Sequence, residues 1–389
     1  MTDQTYRMGE LFGGPGGMAL GARLAAQAVE GIALQHAWAN DYDLDTCNTY
    51  QRNILVPEYG DHAKVVESSA GLPAAGGGVV HQNVHDLDID ALGDIDGFAF
   101  GFPCNDYSLV GKWKGLSGDY GPLYSYGVKI LASKKPKWFV AENVSGLRGA
   151  NEGNAFRQIL EHLQAPDGGP RYRIVPHLYS FDEYGVPQRR QRIVIVGIRE
   201  DLEVDFRVPS PDIYKEVDVG AETALTVPPI ASDAPNHQIA RLSAQVVERL
   251  SYLRPGEHAF SPRALEEMPK RLHINTRTTI STTYKRLEPD KPSYTVTGAG
   301  GGGSYVYHWI LDRALTNREK ARLQSFPDDF VFEGLSESVR KQVGMAVPVK
   351  GAEAIFTALF KSFAGIPYPS IEPNIKFSNV LTPEQTKAA

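Results

Sequence analysis

Cysteine is nearly absent from this 389-residue chain, which holds only Cys47 and Cys104. Two thiols give little material for a disulfide framework or a cysteine-based metal cluster, and they suit a reducing cytoplasm. No run of about 18 apolar residues is present, so the sequence predicts no membrane span. The start, Met1-Thr2-Asp3-Gln4, lacks the basic and apolar segments of a secretory signal. Basic charge is not in excess either. Against 46 Asp and Glu stand 40 Lys and Arg, a net charge of -6, which by itself argues against a nucleic-acid partner. Internal repeats are absent.

The charge that is present is unevenly spread. Residues 1–100 carry Arg7, Arg23, Arg52 and Lys64 against fourteen acids, so the remainder is net positive. Within 263–286, Arg263, Lys270, Arg271, Arg277, Lys285 and Arg286 face only Glu266 and Glu267. A local field of this kind can meet phosphates on a protein that is acidic overall, although exposed basic residues are also ordinary.

Along the chain, strand and helix patterns alternate, the mark of an α/β fold. Arg7 to Phe12 reads as a strand running into Gly13-Gly14-Pro15-Gly16-Gly17, followed by a helix from Met18 to Val29. Strand, glycine turn and helix let backbone N–H groups approach a nucleotide-like ligand; a plain tight turn has the same composition. A second strand, Ile32 to Trp38, leads to Asp41, near the spacing at which an acid holds ribose hydroxyls and equally a candidate helix N-cap. Residues 61–78 read as a loop and Val79 to Val84 as a strand, with Asp86 past its end, as a turn residue or an acceptor for an adenine amine. A helix is predicted over 121–132, then a buried strand over 137–141 that delivers Glu142. An acid at the carboxyl end of a parallel strand points into the ligand crevice. A helix over 151–163 and strands over 172–180 and 193–198 follow. Three arginines, Arg189, Arg190 and Arg192, crowd the start of the last strand, where Arg190 and Arg192 would share a face. After Arg207 the texture turns Pro- and Thr-rich, with one helix over 238–253. Strand 293–297 precedes a glycine run, Thr316 with Glu319 forms a capping box for a helix over 317–324, and an apolar helix spans 351–363. Residues 366–389 read as an extended tail.

Cys104 follows the apolar run Phe98-Ala99-Phe100 in Gly101-Phe102-Pro103-Cys104-Asn105-Asp106-Tyr107-Ser108. A thiol on a rigid turn after a strand is where a reacting thiolate would be placed. Read alone, it is more simply a packed apolar residue, as most lone cysteines are.

Taken together, these segments resemble the cytosine-C5 DNA methyltransferase family, in the family's order and along nearly the whole chain. The matching stretches are Phe12-Gly13-Gly14-Pro15-Gly16-Gly17, Pro103-Cys104 with Ser108, Glu142-Asn143-Val144 and Gln188-Arg189-Arg190-Gln191-Arg192. Arg286-Leu287 with Pro292-Ser293-Tyr294-Thr295-Val296-Thr297, Leu315-Thr316 with Arg318-Glu319, Arg322-Leu323-Gln324 with Phe326-Pro327, and Gly344-Met345-Ala346-Val347-Pro348 complete the set.

The resemblance implies a doubly wound, mostly parallel sheet that binds S-adenosylmethionine, with a small target-recognition domain inserted. The catalytic domain would comprise 1–207 and 293–365, and the recognition domain 208–292. It further implies methyl transfer to carbon 5 of a cytosine flipped out of double-stranded DNA. Cys104 would add to carbon 6, Glu142 would hold N3 and the exocyclic amine, and Arg192 with Arg190 would contact O2 or a phosphate. Phe12, Gly14, Gly16, Gly17, Asp41, Tyr42, Asp86, Leu87, Pro103, Leu123, Met345, Ala346 and Val347 would line the cofactor site. Ser108, Lys112, Lys114, Gln188, Arg277, Arg286 and Thr295 would contact DNA, the first three from a loop resembling the family's mobile loop. No metal is implied. The expected setting is a monomer in the cytoplasm of a bacterium or encoded by a phage, with or without a cognate restriction endonuclease.

One position departs from the family pattern. Met345 stands where the family has Asn, and a thioether cannot reproduce an amide's donors and acceptor. A tolerated variant, a weakened enzyme and a site accepting a different sulfonium substituent are all open. An RNA-directed enzyme, a silent binding module and a small-molecule methyltransferase are the rival readings. The insert favours duplex DNA, because reading base edges needs a separate module.

Overall fold

The computed structural model describes residues 4–102, 123–275, 282–300 and 302–376. By contacts the chain divides into two compact units. The first is Met1–Ser180, Gln191–Ile213 and Gly351–Ala389; the second is Phe181–Arg190 and Tyr214–Lys350.

The first unit is built on eight strands: β1 (Gln4–Leu11), β2 (Ile32–Asp41), β3 (Lys64–Val66), β4 (Gly78–His81), β5 (Gly97–Gly101), β6 (Trp138–Val144), β7 (Tyr172–Ser180) and β8 (Gln191–Arg199). They form one sheet in the order β3-β4-β2-β1-β5-β6-β8-β7. All neighbouring pairs from β3 to β6 are parallel, whereas β8 runs antiparallel to both β6 and β7. This is the α/β, doubly wound, mostly parallel arrangement. Strand order reverses on either side of β1, so a crevice is expected past the carboxyl ends of β1 and β5. Burial on both faces explains the apolar runs: Phe98, Ala99 and Phe100 are fully buried, as are Trp138, Phe139 and Ala141. Side-chain-free positions let the large rings lie flat, and a Cβ on Gly97 would fall 2.0 Å from the Trp138 ring.

Two helices pack on this sheet in ways that matter for the site. Gly17–Ala28 follows β1 directly and buries Met18, Leu20 and its alanines. Val349–Ala364 returns the chain to the first unit, with Phe360 and Phe356 edge-on to Trp138 at 5.9 and 5.8 Å. Ser336–Ala364 is long and apolar enough by composition to cross a membrane, but 72% of its apolar window is buried inside the protein, the signature of a core helix. The final described residues are docked too: Ser370–Ile371 pairs with Val208–Pro209, and Ile375 is buried.

The second unit is mostly helices and irregular chain around a core of Leu250, Leu253, Leu272, Tyr307 and Ala314. Residues 293–350, grouped with the catalytic domain by the sequence reading, fall in this unit. Single bridges from Tyr307 to Arg286 and to Ala314 tie them in.

Several local expectations change. Residues 64–66 form an edge strand inside the predicted 61–78 loop. The helix expected over 238–253 is shorter, Ala244–Ser251, because Ser243 in extended conformation caps its start and accepts from Val246 N–H. The strand expected over 293–297 is only a bridge, Ser293 to Gln188. There the Gln188 side chain replaces a ladder partner by accepting from Val296 N–H at 2.8 Å. The helix after β2 is capped by Asp43, not Asp41.

Candidate active site

At the carboxyl end of β1 the chain makes a strained turn. Phe12, Gly14 and Gly16 have φ of 54°, 54° and 95°, the left-handed region open mainly to glycine. Asp41, at the end of β2, ties this turn down: one carboxylate oxygen accepts from Gly14 N–H at 3.0 Å and the other from Asp43 N–H at 3.1 Å. Burial pushes its pKa up to about 6, against the pull of those backbone donors. No side chain caps the helix that begins at Gly17, and a Cβ on Gly14 would meet nothing within 4 Å. The turn therefore presents open backbone.

Beneath it lies Glu10, an acid inside an apolar strand that the sequence reading did not single out. It is fully buried, and one oxygen accepts from Tyr50 O–H at 2.9 Å. The other, Oε1, has no hydrogen-bond partner. Burial pushes the Glu10 carboxyl up to about 8, the Tyr50 hydrogen bond opposing. An open glycine cradle, an acid at the next strand end and an unpartnered buried carboxyl oxygen fit a nucleoside-bearing amino acid such as S-adenosylmethionine. Of the other cofactor positions, Leu87 is buried, Leu123 packs against the core, Asp86 is exposed and Tyr42 is 71% exposed.

Glu142 sits in β6, not beyond it as expected, and pairs in register with Gly101 of β5 and Val194 of β8. Arg192, at the start of β8, places Nε 2.8 Å from Glu142 Oε1 with each side chain 13% exposed. Glu142 Oε2 faces Gly101, where a Cβ would come within 3.2 Å. A planar guanidinium thus orients a carboxylate at the mouth of the crevice. Next in β6, buried Asn143 donates to the Phe102 carbonyl at 2.9 Å and accepts from Val144 N–H at 2.8 Å. Pro103, Cys104, Ser108, Lys112, Lys114 and Arg277 lie outside the described residues.

A family model, C-5 cytosine-specific DNA methylase, matches residues 6–361. The chain belongs to the C-5 cytosine-specific DNA methylase family. It is 50% identical over 384 residues to Type II methyltransferase M.BbvI of Brevibacillus brevis, covering 96% of each chain. It is 35% identical to Type II methyltransferase M.NgoFVII of Neisseria gonorrhoeae, covering 91% of this chain and 86% of that one. In fold it resembles a crystal structure described as a DNA modification methyltransferase encoded within an E. coli prophage. The TM-score is 0.65 at 21% identity, with 92% of this chain and 99% of that chain covered. That likeness shows the fold alone.

Within this DNA methylase, three sequence assignments need correction. Arg190 does not share a strand face with Arg192, because β8 begins only at Gln191. It is buried and donates to the carbonyls of Val296 at 2.9 Å and Gly344 at 3.1 Å. Gln188, also buried, donates to Leu323 O and Gln324 Oε1. Arg286 is 2% exposed and binds the carbonyls of His308, Leu311 and Leu250 together with Asp312. All three brace the second unit from inside, with their side chains engaged by its own carbonyls and amides. The signal available in sequence, a basic or amide side chain in a matching motif, cannot distinguish a surface contact from a buried brace.

Also within the second unit is a groove of about 660 Å³, lined among others by Arg189, Lys285, Lys291, Thr295 and Thr297. Arg189 and Lys291 are exposed at 65% and 54%, paired with Asp182 at 3.6 Å and with Glu288 respectively. Thr295 donates to Arg189 O at 2.8 Å. The family's Gly-x-Ala-Val-Pro stretch ends the helix Ser336–Met345, where Ala346 is buried, Val347 half-buried and Met345 61% exposed.

Proposed function

We propose that this methylase acts on carbon 5 of a cytosine flipped out of duplex DNA at a specific site, by covalent catalysis through Cys104. The observation that supports this best is the Glu142–Arg192 pair at the mouth of the crevice, beside the end of the strand that leads into Pro103-Cys104.

The residues divide the chemistry as follows. Carbon 5 of cytosine is a poor nucleophile until the ring's aromaticity is broken. Cys104 gives its electron pair to carbon 6, and the C5–C6 double-bond electrons move onto carbon 5 and toward N3. Glu142 holds N3 and the exocyclic amine and shares a proton with N3 as charge develops. Arg192 fixes the carboxylate and would stabilise charge on O2. S-adenosylmethionine, when bound, supplies an electrophilic methyl group on a sulfonium. Gly14, Gly16, Gly17, Asp41 and Phe12 would hold it, with Tyr42, Asp86, Leu87 and Leu123 around its adenine end and Met345, Ala346 and Val347 as further proposed neighbours. Loss of the C5 proton to water then lets the C6–S bond break and returns Cys104 as thiolate.

The second unit, and within it 214–292, would carry target recognition, with Arg189, Lys285 and Lys291 exchanging Asp182 and Glu288 for phosphates. The relatives' names, Type II methyltransferases, support a place in a Type II restriction-modification system; a monomer acting on DNA in the cytoplasm, beside a cognate endonuclease, is the setting proposed with it.

The test is incubation with unmethylated plasmid and S-adenosylmethionine, digestion to nucleosides and mass measurement, with Cys104→Ala alongside. One methyl on deoxycytidine, absent from the variant, is the expected result. Methylation of transfer RNA but not of the plasmid overturns the DNA assignment. A heavier adduct on cytosine would point to an altered cofactor pocket at Met345.

A further inference from the structure

Lysine is almost never buried without a carboxylate beside it, yet Lys320 is 5% exposed. It lies on the helix Asn317–Leu323, inside the second unit. Among the described residues no group accepts a hydrogen bond from its ammonium and no carboxylate pairs with it. What it does face is the ring of Tyr305, with Nζ 5.4 Å from the centroid. The acid next to it in sequence is already committed. Glu319 gives its carboxylate oxygens to Arg313, at 2.7 Å each, and to Thr316 N–H at 2.7 Å. The larger of the two charges acting on Lys320 is a second cation, Arg340. Burial first and that charge next push the ammonium down to about 8, against the pull of Glu319, so it is still charged at neutral pH.

Arg340 is itself buried and grips the glycine segment that follows Thr297. Nη1 donates to Gly298 O at 3.1 Å, and a Cβ on Gly300 would fall 2.3 Å from the same nitrogen. The carboxylate beside it, Glu337 at 3.3 Å, has a side chain 71% exposed and is shared with Lys341 at 3.6 Å. Two buried cations thus have one solvated acid between them, at the edge of a backbone nearly bare of side chains. Thr297 and Ala299 of that segment also line the groove that holds Arg189, Lys285 and Lys291. A ring face offsets only part of an ammonium's desolvation. An anion would supply the rest.

We infer that Lys320 and Arg340, with the backbone of Gly298 to Gly300, form an anion site that takes one phosphodiester of bound DNA. This rests on the reading of the second unit as the part that meets DNA, and adds to the contacts proposed there for Arg189, Lys285 and Lys291. A phosphodiester suits the pair, because its two free oxygens can accept from an ammonium and a guanidinium at once. Keeping an unpaired cation inside the free protein breaks a rule of stable packing, as groups held for a ligand do.

Lys320→Met tests the inference, because it keeps the stem and deletes the charge; Lys320→Gln repeats the test with a neutral polar group. Anisotropy of a labelled DNA duplex across a salt series reads the contact. Both variants should lose about tenfold in affinity, the worth of a charge-assisted hydrogen bond, and their log–log salt slope should be shallower by about one unit. Without DNA, Lys320→Met should unfold at a higher urea concentration than wild type, since an unpaired buried charge has been removed. Inorganic phosphate, set against chloride at equal ionic strength, should raise the wild-type Tm and leave that of Lys320→Met unchanged. An unchanged slope in both variants overturns the inference; if phosphate still stabilises wild type alone, the site takes a free anion and not DNA. A lower urea midpoint for Lys320→Met overturns it too, because the ammonium is then structural. If wild type methylates no cytosine while slope and midpoint move as expected, the proposed reaction fails and the anion site stands.

Discussion

Arg192 and Glu142 meet across two antiparallel strands, Nε to Oε1 at 2.8 Å, each side chain 13% exposed. They are 50 residues apart in sequence, and β8 had to be laid backwards beside β6 for them to touch. The pairing uses one carboxylate oxygen and leaves Oε2 turned toward Gly101.

Replacing Arg192 tests how much that orientation matters. Arg192→Lys keeps the charge but loses the planar fork, and Arg192→Ala leaves a poorly solvated carboxylate with its cation removed. Turnover should drop about 10-fold in the first and at least 10²-fold in the second, in line with lost transition-state donors. Single-turnover methyl transfer at saturating DNA measures it; equal activity of both variants and wild type would remove Arg192 from the mechanism.

Glu10 makes stability depend on pH in a direction opposite to most carboxylates. Its folded pKa, about 8, lies above the ordinary value of 4.5, so between those values the folded protein holds a proton that the unfolded chain has released. Stability should therefore fall as pH rises from about 5 to 8, by up to about 1.4 kcal/mol per pH unit from this group. Glu10→Gln, which keeps an acceptor for Tyr50, should flatten the trend. Calorimetric Tm values at pH 5, 6.5 and 8 for both proteins decide it.

The glycine turn should tolerate no side chain at Gly16. An alanine there would face Ile54 at 2.7 Å with φ at 95°, costing about 1–2 kcal/mol in backbone strain alone. Gly16→Ala should weaken S-adenosylmethionine binding at least 10-fold by calorimetry; unchanged affinity would mean that the cradle is not the cofactor site.

Arg286 and the exposed cations of its unit should separate cleanly. Arg286→Ala removes a buried guanidinium that serves three carbonyls and Asp312, and should lower stability by about 3–5 kcal/mol as read by urea unfolding. Arg189→Ala and Lys291→Ala should leave the unfolding midpoint in place. Each should instead reduce the salt slope of DNA binding by about one unit. A normal slope in both would place the phosphates elsewhere.

Local chemistry carried much of this protein into its sequence. The β1 strand, glycine turn and following helix come from period and composition within about 25 residues. The capping box is equally local, with Thr316 and Glu319 exchanging backbone bonds as their spacing demands. Family motifs located Glu142 and Arg192. Tertiary structure alone decided the rest, because it depends on which distant segments meet. Whether Arg190 or Arg192 faces Glu142 turned on where β8 begins: Arg190 falls before Gln191, outside the strand, while Arg192 lies inside it, paired with Val144. Gln188 and Arg286 look like contacts in a linear string, yet burial made them braces for carbonyls more than 20 residues away. Glu10 is an unremarked acid until Tyr50, 40 residues on, is folded against it. Sequence records which groups a chain has; only the assembled sheet and the packed second unit determine which of them lose their water, and desolvation is what turns a charge into a brace or an acid into a proton store.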